Sequence, residues 1–86
     1  MEKIKELTED QLKEITKEVR TVLEFSSALC PECKFLAPFM PEIEKDFSDA
    51  KFYEIDRDGS FAIAKKLMIM GIPSFFVKEH GKAIGT

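Results

Sequence analysis

The chain has 86 residues, 44% of them hydrophobic and 34% charged, with a formal net charge of −3. That length suits a single domain, residues 1–86, able to build a modest core without staples. The acidic balance and the lack of a basic block argue against a nucleic-acid partner, and no apolar run approaches the roughly 20 residues of a membrane span. The opening Met1-Glu2-Lys3-Ile4-Lys5-Glu6 is charged and carries no apolar signal core, so a cytoplasmic location is expected, where a dithiol rests reduced.

Lys3 to Leu7 reads as a short first strand. Thr8 then stands as an N-cap with Gln11 completing a capping box, and Leu7 and Leu12 are spaced as a hydrophobic staple. Leu12, Ile15 and Val19 form the apolar stripe of a helix from about Glu9 to Glu18. Thr21 to Ser26 is a near-continuous apolar run with one internal acid, Glu24, as expected of a central strand covered on both faces. A long helix follows from Pro31 to about Phe47. Its packed face is read from Phe35, Phe39, Ile43 and Phe47, with Leu36 and Met40 beside them. Pro38 and Pro41 each remove a backbone bond, which predicts a kink near Pro38 rather than two separate helices.

Lys51 to Ile55 is the next strand, Asp56-Arg57-Asp58-Gly59 its exit turn and Ser60 a cap. Phe61, Ala64, Leu67 and Met68 make a short amphipathic helix that Gly71-Ile72-Pro73-Ser74 ends. Ser74 to Lys78 and Lys82 to Gly85 are strands joined by the tight turn Glu79-His80-Gly81. The order β-α-β-α-β-α-β-β predicts an α/β fold, a mixed central sheet flanked by helices.

Between the Ser26 turn and the long helix lies Cys30-Pro31-Glu32-Cys33. Two cysteines at this spacing at a helix start make a redox couple. Cys30 falls at the N-cap and Pro31 at the first helical position, where a missing N–H costs nothing. Free amides and the positive helix end favour the Cys30 thiolate. Glu32 opposes them by placing a negative charge beside that sulfur, so Pro31 and Glu32 are the tuning residues. Zinc sites share the spacing, but structural zinc normally takes four protein ligands. This chain has no third cysteine and a single histidine, His80. No metal is expected within one chain, and a metal shared between two chains stays open.

With Cys30–Cys33 and Gly71-Ile72-Pro73-Ser74 both placed, the chain resembles the thioredoxin family over nearly its whole length. Leu7-Thr8-Glu9-Asp10 is similar to the family's first strand-to-helix turn. Glu24 stands where the family keeps a buried aspartate, Lys34 and Pro38 follow its pattern, and Ile55-Asp56 and His80-Gly81 match its third strand end and final hairpin. The resemblance implies a cis bond between Ile72 and Pro73. It also departs from the family in several places. The usual Trp-Cys-Gly-Pro-Cys is here Leu29-Cys30-Pro31-Glu32-Cys33, and a proline directly after the first cysteine is more like glutaredoxins. Phe52 replaces the lysine that partners the buried acid, and Met68 stands where a glycine usually ends the third helix. Because the family continues beyond the position of Thr86 into a last helix, part of one sheet face is expected to be exposed, with weak self-association a consequence.

What the resemblance implies is a thiol–disulfide oxidoreductase acting on protein disulfides, with Cys30 as nucleophile and Cys33 as the resolving, more buried thiol. Its redox centre is the reversible Cys30–Cys33 disulfide, with no cofactor bound. Glu24, desolvated on its strand, carries the Cys33 proton; a solvated strand glutamate is the alternative. Substrate is expected in a groove formed by Leu29, Met70, Gly71, Ile72 and Pro73. Met68 is read as core, and Met70 as either core or groove. The electron donor is a flavoprotein thioredoxin reductase, or glutathione if a glutaredoxin-like reading holds, although Lys34 is the only nearby cation in sequence. A peptide-binding module without catalysis is the remaining alternative.

Overall fold

The structure, a computed structural model, describes residues 1–17 and 20–85. Glu18 and Val19, expected at the end of the first helix, lie outside the described residues, as does Thr86. The strand rich in β-branched and large apolar residues, β2 (Arg20–Ser26), lies at the centre of a five-stranded sheet. Around it are β1 (Glu2–Ile4), β3 (Lys51–Asp56), β4 (Ser74–Glu79) and β5 (Lys82–Gly85), in the order β1-β3-β2-β4-β5. β1 and β2 run parallel to β3, whereas β4 is antiparallel to β2 and β5 to β4. The sheet is therefore mixed, as the element order predicts. The first strand ends at Ile4, three residues short of Leu7, because Leu7 turns inward ahead of the helix.

Side chains alternate across a strand, and this divides β2 between two cores. Leu23 and Phe25 face one side with Tyr53, Ile55 and Phe76, covered by α1 (Glu9–Ile15) and α4 (Phe61–Lys66) through Leu12, Ile63 and Ala64. Val22 faces the other side with Phe52, Phe75 and Val77, beneath Leu36, Met40 and Ile43. The same alternation puts Glu24 and Ser26 on this second face. Thr8 caps α1 as expected, its hydroxyl accepting from the Gln11 N–H at 3.2 Å, and Leu7 and Leu12 are both buried in the first core. The helix closes at Thr16, whose hydroxyl donates back to the Leu12 carbonyl at 2.7 Å.

The long helix divides into α2 (Pro31–Leu36), a 3₁₀ turn (Ala37–Phe39) and α3 (Met40–Asp46). Pro41 cannot donate to the Ala37 carbonyl, and Met40 N–H takes it instead in a tighter bond. The interruption therefore sits at Pro38, but as two helices joined by a 3₁₀ turn rather than one kinked helix. The phenylalanine stripe is not the packed face. Phe35 is 75% exposed, and Phe39 and Phe47 are also exposed, whereas Cys33 and Met40 are buried with Leu36 and Ile43 packed beside them. A four-residue step advances about 40° around an α-helix, so a run of every fourth residue drifts off the buried side. Steps of three and four, from Cys33 to Leu36, Met40 and Ile43, hold to it.

Ser60 stands at the N-cap position of α4, its carbonyl accepting Ala64 N–H at 2.9 Å, but its side chain makes no cap bond. Its buried hydroxyl accepts from Leu7 N–H at 2.8 Å and donates to the Lys5 carbonyl at 3.3 Å. Beside it, a Cβ on Gly59 would overlap that same carbonyl. α4 ends in a Schellman motif, with Ile69 N–H bonded to the Ala64 carbonyl and Met68 N–H to that of Lys65. Met68 occupies its left-handed position at φ 59°. Met68 and Phe61 are exposed rather than core, whereas Ala64 is buried and Leu67 packs on the core as expected, with Ile63 buried beside them. His80 and Gly81, at φ 52° and 79°, join β4 to β5 in a two-residue turn. Among the described residues no helix follows β5. An apolar groove of about 410 Å³, lined by Phe47, Phe52, Phe75, Val77 and Ile84, is open on the α3 side of the sheet.

Candidate active site

β2 delivers the chain to a short loop, Ser27–Leu29, ahead of α2. That loop is tied to the one after β3: Arg57 N–H donates to the Ser26 carbonyl at 2.8 Å and the Ser27 hydroxyl donates to Asp58 at 2.7 Å. The Ser27 hydroxyl, and after it the Arg57 guanidinium, holds the Asp58 carboxyl below its usual range. Cys30 follows as the N-cap, with Pro31 at the start of the helix, and its sulfur accepts the Cys33 N–H at 3.1 Å. This is the cap geometry that the motif predicts. Cys30 and Cys33 form a disulfide with Cα atoms 5.2 Å apart, within the ordinary range. Pro31 and Glu32 are exposed, and a Glu32 carboxylate oxygen lies 3.8 Å from the Cys30 sulfur.

The two cysteines are equally buried, at 6% and 7% exposure, so Cys33 is not the more buried residue. Beneath Cys33 lies a cavity of about 570 Å³ that Glu24 also lines. Glu24 is 4% exposed, not a solvated strand residue. Burial, then the neighbouring carboxylates Glu54 and Glu44, pushes its carboxyl from 4.5 up to about 7. The structure thus brings Glu24 and Cys33 to one cavity.

The Ile72–Pro73 bond is cis. Continuing the β2–β4 register, in which Phe25 pairs with Ser74, puts Pro73 at the level of Ser26, the end of the sheet from which the cysteine loop leaves. The Ser74 hydroxyl donates to the Gly71 carbonyl. Pro73 and Ile72 are half-buried, and Gly71 is exposed. Leu29 and Met70 are 88% and 92% exposed, which places Met70 outside the core. Among the described residues no group of three His, Cys, Asp or Glu side chains is placed to hold a metal ion.

Sequence reasoning missed Ser26 and Glu54. The Ser26 hydroxyl donates to Glu54 at 3.0 Å, and Glu54 is the register partner of Glu24 on β3. Only the β2–β3 pairing reveals this, and it joins residues thirty apart.

A mixed five-stranded sheet, with a cysteine pair at a helix start and a cis-proline before the fourth strand, defines a fold shared with known proteins. The family described as Thioredoxin matches residues 3–86, and the chain belongs to that family. Thioredoxin H5 of Arabidopsis thaliana is 33% identical over 63 residues, which are 73% of this chain and 53% of that protein. Thioredoxin-2 of Saccharomyces cerevisiae is 30% identical over 73% of this chain and 61% of its own length. The chain spans about half the length of curated relatives it matches. Among solved structures, thioredoxin from Trypanosoma brucei brucei superposes with a TM-score of 0.85 at 28% identity, over 95% of this chain and 74% of that one.

Proposed function

We propose that the protein is a thiol–disulfide oxidoreductase that reduces protein disulfides through Cys30 and Cys33. The observation that carries this reading is a cysteine pair already joined at a helix N-cap, with a buried acid in the cavity beneath it. In the reduced form the Cys30 thiolate, held by the Cys33 N–H, attacks a substrate disulfide and expels one substrate sulfur as thiolate. Cys33 then gives its proton to ionised Glu24 as its sulfur attacks Cys30. The mixed disulfide breaks, the second substrate sulfur leaves with the electron pair, and Cys30–Cys33 is oxidised. A carboxyl that titrates near 7 is matched to accepting a proton in one direction and returning it in the other. Exposed Leu29 and Met70, together with the Gly71-Ile72-Pro73 backbone, are the surface for an extended substrate segment. The electron donor is a flavoprotein thioredoxin reductase, with glutathione as the competing donor, in a reducing cytoplasmic setting.

The test is reduction of a protein disulfide with NADPH and a thioredoxin reductase, run in parallel with glutathione and its reductase. Wild-type protein should turn over, Cys30→Ser should be inactive and Cys33→Ser should accumulate a mixed disulfide with the substrate. Turnover with glutathione alone would assign the donor to glutathione. Equal peptide binding by wild type and the double serine variant, with no turnover from either donor, would leave a binding module and remove the oxidoreductase reading.

A further inference from the structure

The β2–β3 register that pairs Glu24 with Glu54 also pairs Ser26 with Asp56, and the alternation of both strands sets all four side chains on the α2–α3 face. Neighbouring strands lie only about 4.8 Å apart, so Glu24 and Glu54 stand side by side. In families where a lysine occupies this neighbourhood, a buried acid has a cation to hold its charge. Here Phe52 fills that position, and the adjacent polar group is a second carboxyl.

The two carboxyls are not equivalent. Glu24 is 4% exposed, whereas Glu54 is half-buried and its Oε2 accepts the Ser26 hydroxyl at 3.0 Å. The Ser26 hydroxyl fixes the Glu54 carboxyl in place, and a second carboxyl beside buried Glu24 works against Glu24 ionising. The pair is therefore asymmetric by construction.

We propose that Glu54, pinned by Ser26, is a positioning residue whose place beside Glu24 makes Glu24 the member of the pair that takes up and returns the Cys33 proton. This rests on the oxidoreductase reading for its consequence, though not for the coupling itself. The other groups around Glu24 are accounted for. From α2 come Cys33 and Lys34, the latter exposed at the cavity rim, and from α3 comes Glu44, which lies 3.4 Å from the Met1 amine. From β3 comes Asp56, and the exposed Lys3 of β1 and Lys5 just after it reach the same rim. β4 presents Phe75 opposite Glu24, with no charge. The carboxyl of Glu24 is nevertheless pushed up, first by burial and next by Glu54.

The experiment is a carbon-detected NMR titration of the Glu24 carboxyl in the oxidised protein, where no turnover is involved. Glu54→Gln should lower the Glu24 midpoint by about one pH unit or more, while Glu54→Asp should retain most of the wild-type value. Glu44→Gln, which removes a carboxylate already facing the Met1 amine, should move it less than Glu54→Gln does. A Glu24 midpoint unmoved in folded Glu54→Gln overturns the proposal. The second readout is the rate of release from the Cys30 mixed disulfide against pH, in which Glu54→Gln should displace the inflection near pH 7 downward along with the Glu24 midpoint. If the midpoint moves but Glu24→Gln releases substrate at the wild-type rate, the coupling is real and the proton-carrier role of Glu24 is overturned. If neither Cys30 nor Cys33 supports turnover, the oxidoreductase reading itself has failed, and the titration still reports on Glu54.

Discussion

Replacing Glu24 with glutamine isolates the free energy of a buried charge. The carboxyl titrates at about 7 in the folded chain against 4.5 as the ordinary value. Between those values the folded state binds more protons than the unfolded state, so stability falls as pH rises through the window. Below pH 4.5 both states are protonated and the residue has no penalty. Above pH 7 the folded state holds an ionised carboxylate with burial and two neighbouring carboxylates against it. At about 1.4 kcal/mol per pH unit, a rise from 4.5 to about 7 corresponds to a cost on the order of 3 kcal/mol. That is a sizeable part of the roughly 5–15 kcal/mol by which small domains are stable. Glutamine keeps the shape of the protonated acid and removes the titration. Urea denaturation of the oxidised protein should therefore give wild type and Glu24→Gln similar stability at pH 4, with the variant about 3 kcal/mol more stable at pH 8.5. A stability difference that stays constant across this range would refute the reasoning, because a packing change alone has no reason to follow pH.

In the reduced protein, Glu24→Gln should slow release of substrate from the Cys30 mixed disulfide near pH 7 while leaving the initial attack by Cys30 little changed; stopped-flow release rates across about pH 6 to 9 check it, and unchanged rates would remove Glu24 from the step. Glu32 lies 3.8 Å from the Cys30 sulfur, so the wild-type couple should be reducing, and a measured potential near about −120 mV would contradict that. Glu32→His exchanges the carboxylate for a group that can carry a positive charge, and should shift the couple in the oxidising direction by about 30 mV for each pH unit by which it lowers the Cys30 thiol. Met68 holds a left-handed backbone position that glycine adopts freely; Met68→Gly should stabilise the chain by about 0.5–1 kcal/mol in urea titration, and a loss of stability would show that its exposed side chain contributes more than it costs.

What the sequence made legible was set by how local each interaction is. The Cys30 cap depends on residues within one helical turn, and so does the Thr8 cap. Both follow from the motif, and both are found. The Glu79–Lys82 hairpin is equally local, since positive φ at His80 and Gly81 needs no distant partner. Glu24 was singled out through a resemblance, and burial, the first cause of its raised carboxyl, follows from its place on a central strand, whereas the further push comes from Glu54 on β3 and Glu44 on α3. No window of sequence contains that pairing. Ser60 looked like a cap because of its position before a helix, but its hydroxyl goes to residues more than fifty positions away. The phenylalanine stripe failed for a geometric reason. Four-residue spacing drifts around a helix, and the 3₁₀ turn at Pro38 changes the phase again. The drift could have been allowed for from spacing alone, whereas the turn needed the backbone.

The Ser60 hydroxyl has a consequence for how the molecule opens. It holds both the Lys5 carbonyl and the Leu7 amide, at the corner where Gly59 lets the two chain segments touch. One residue before Gly59, Asp58 accepts the Ser27 hydroxyl at 2.7 Å, and Ser27 in turn receives Cys30 N–H on its carbonyl at 3.2 Å. A continuous series of contacts therefore runs from the first strand, through the turn after β3, to the loop that presents the cysteines. The Ser27–Asp58 link in that series is exposed, so the buried anchor is the Ser60 hydroxyl on the Leu7 amide. The Leu7 amide should exchange slowly with solvent deuterium, and Ser60→Ala should speed it.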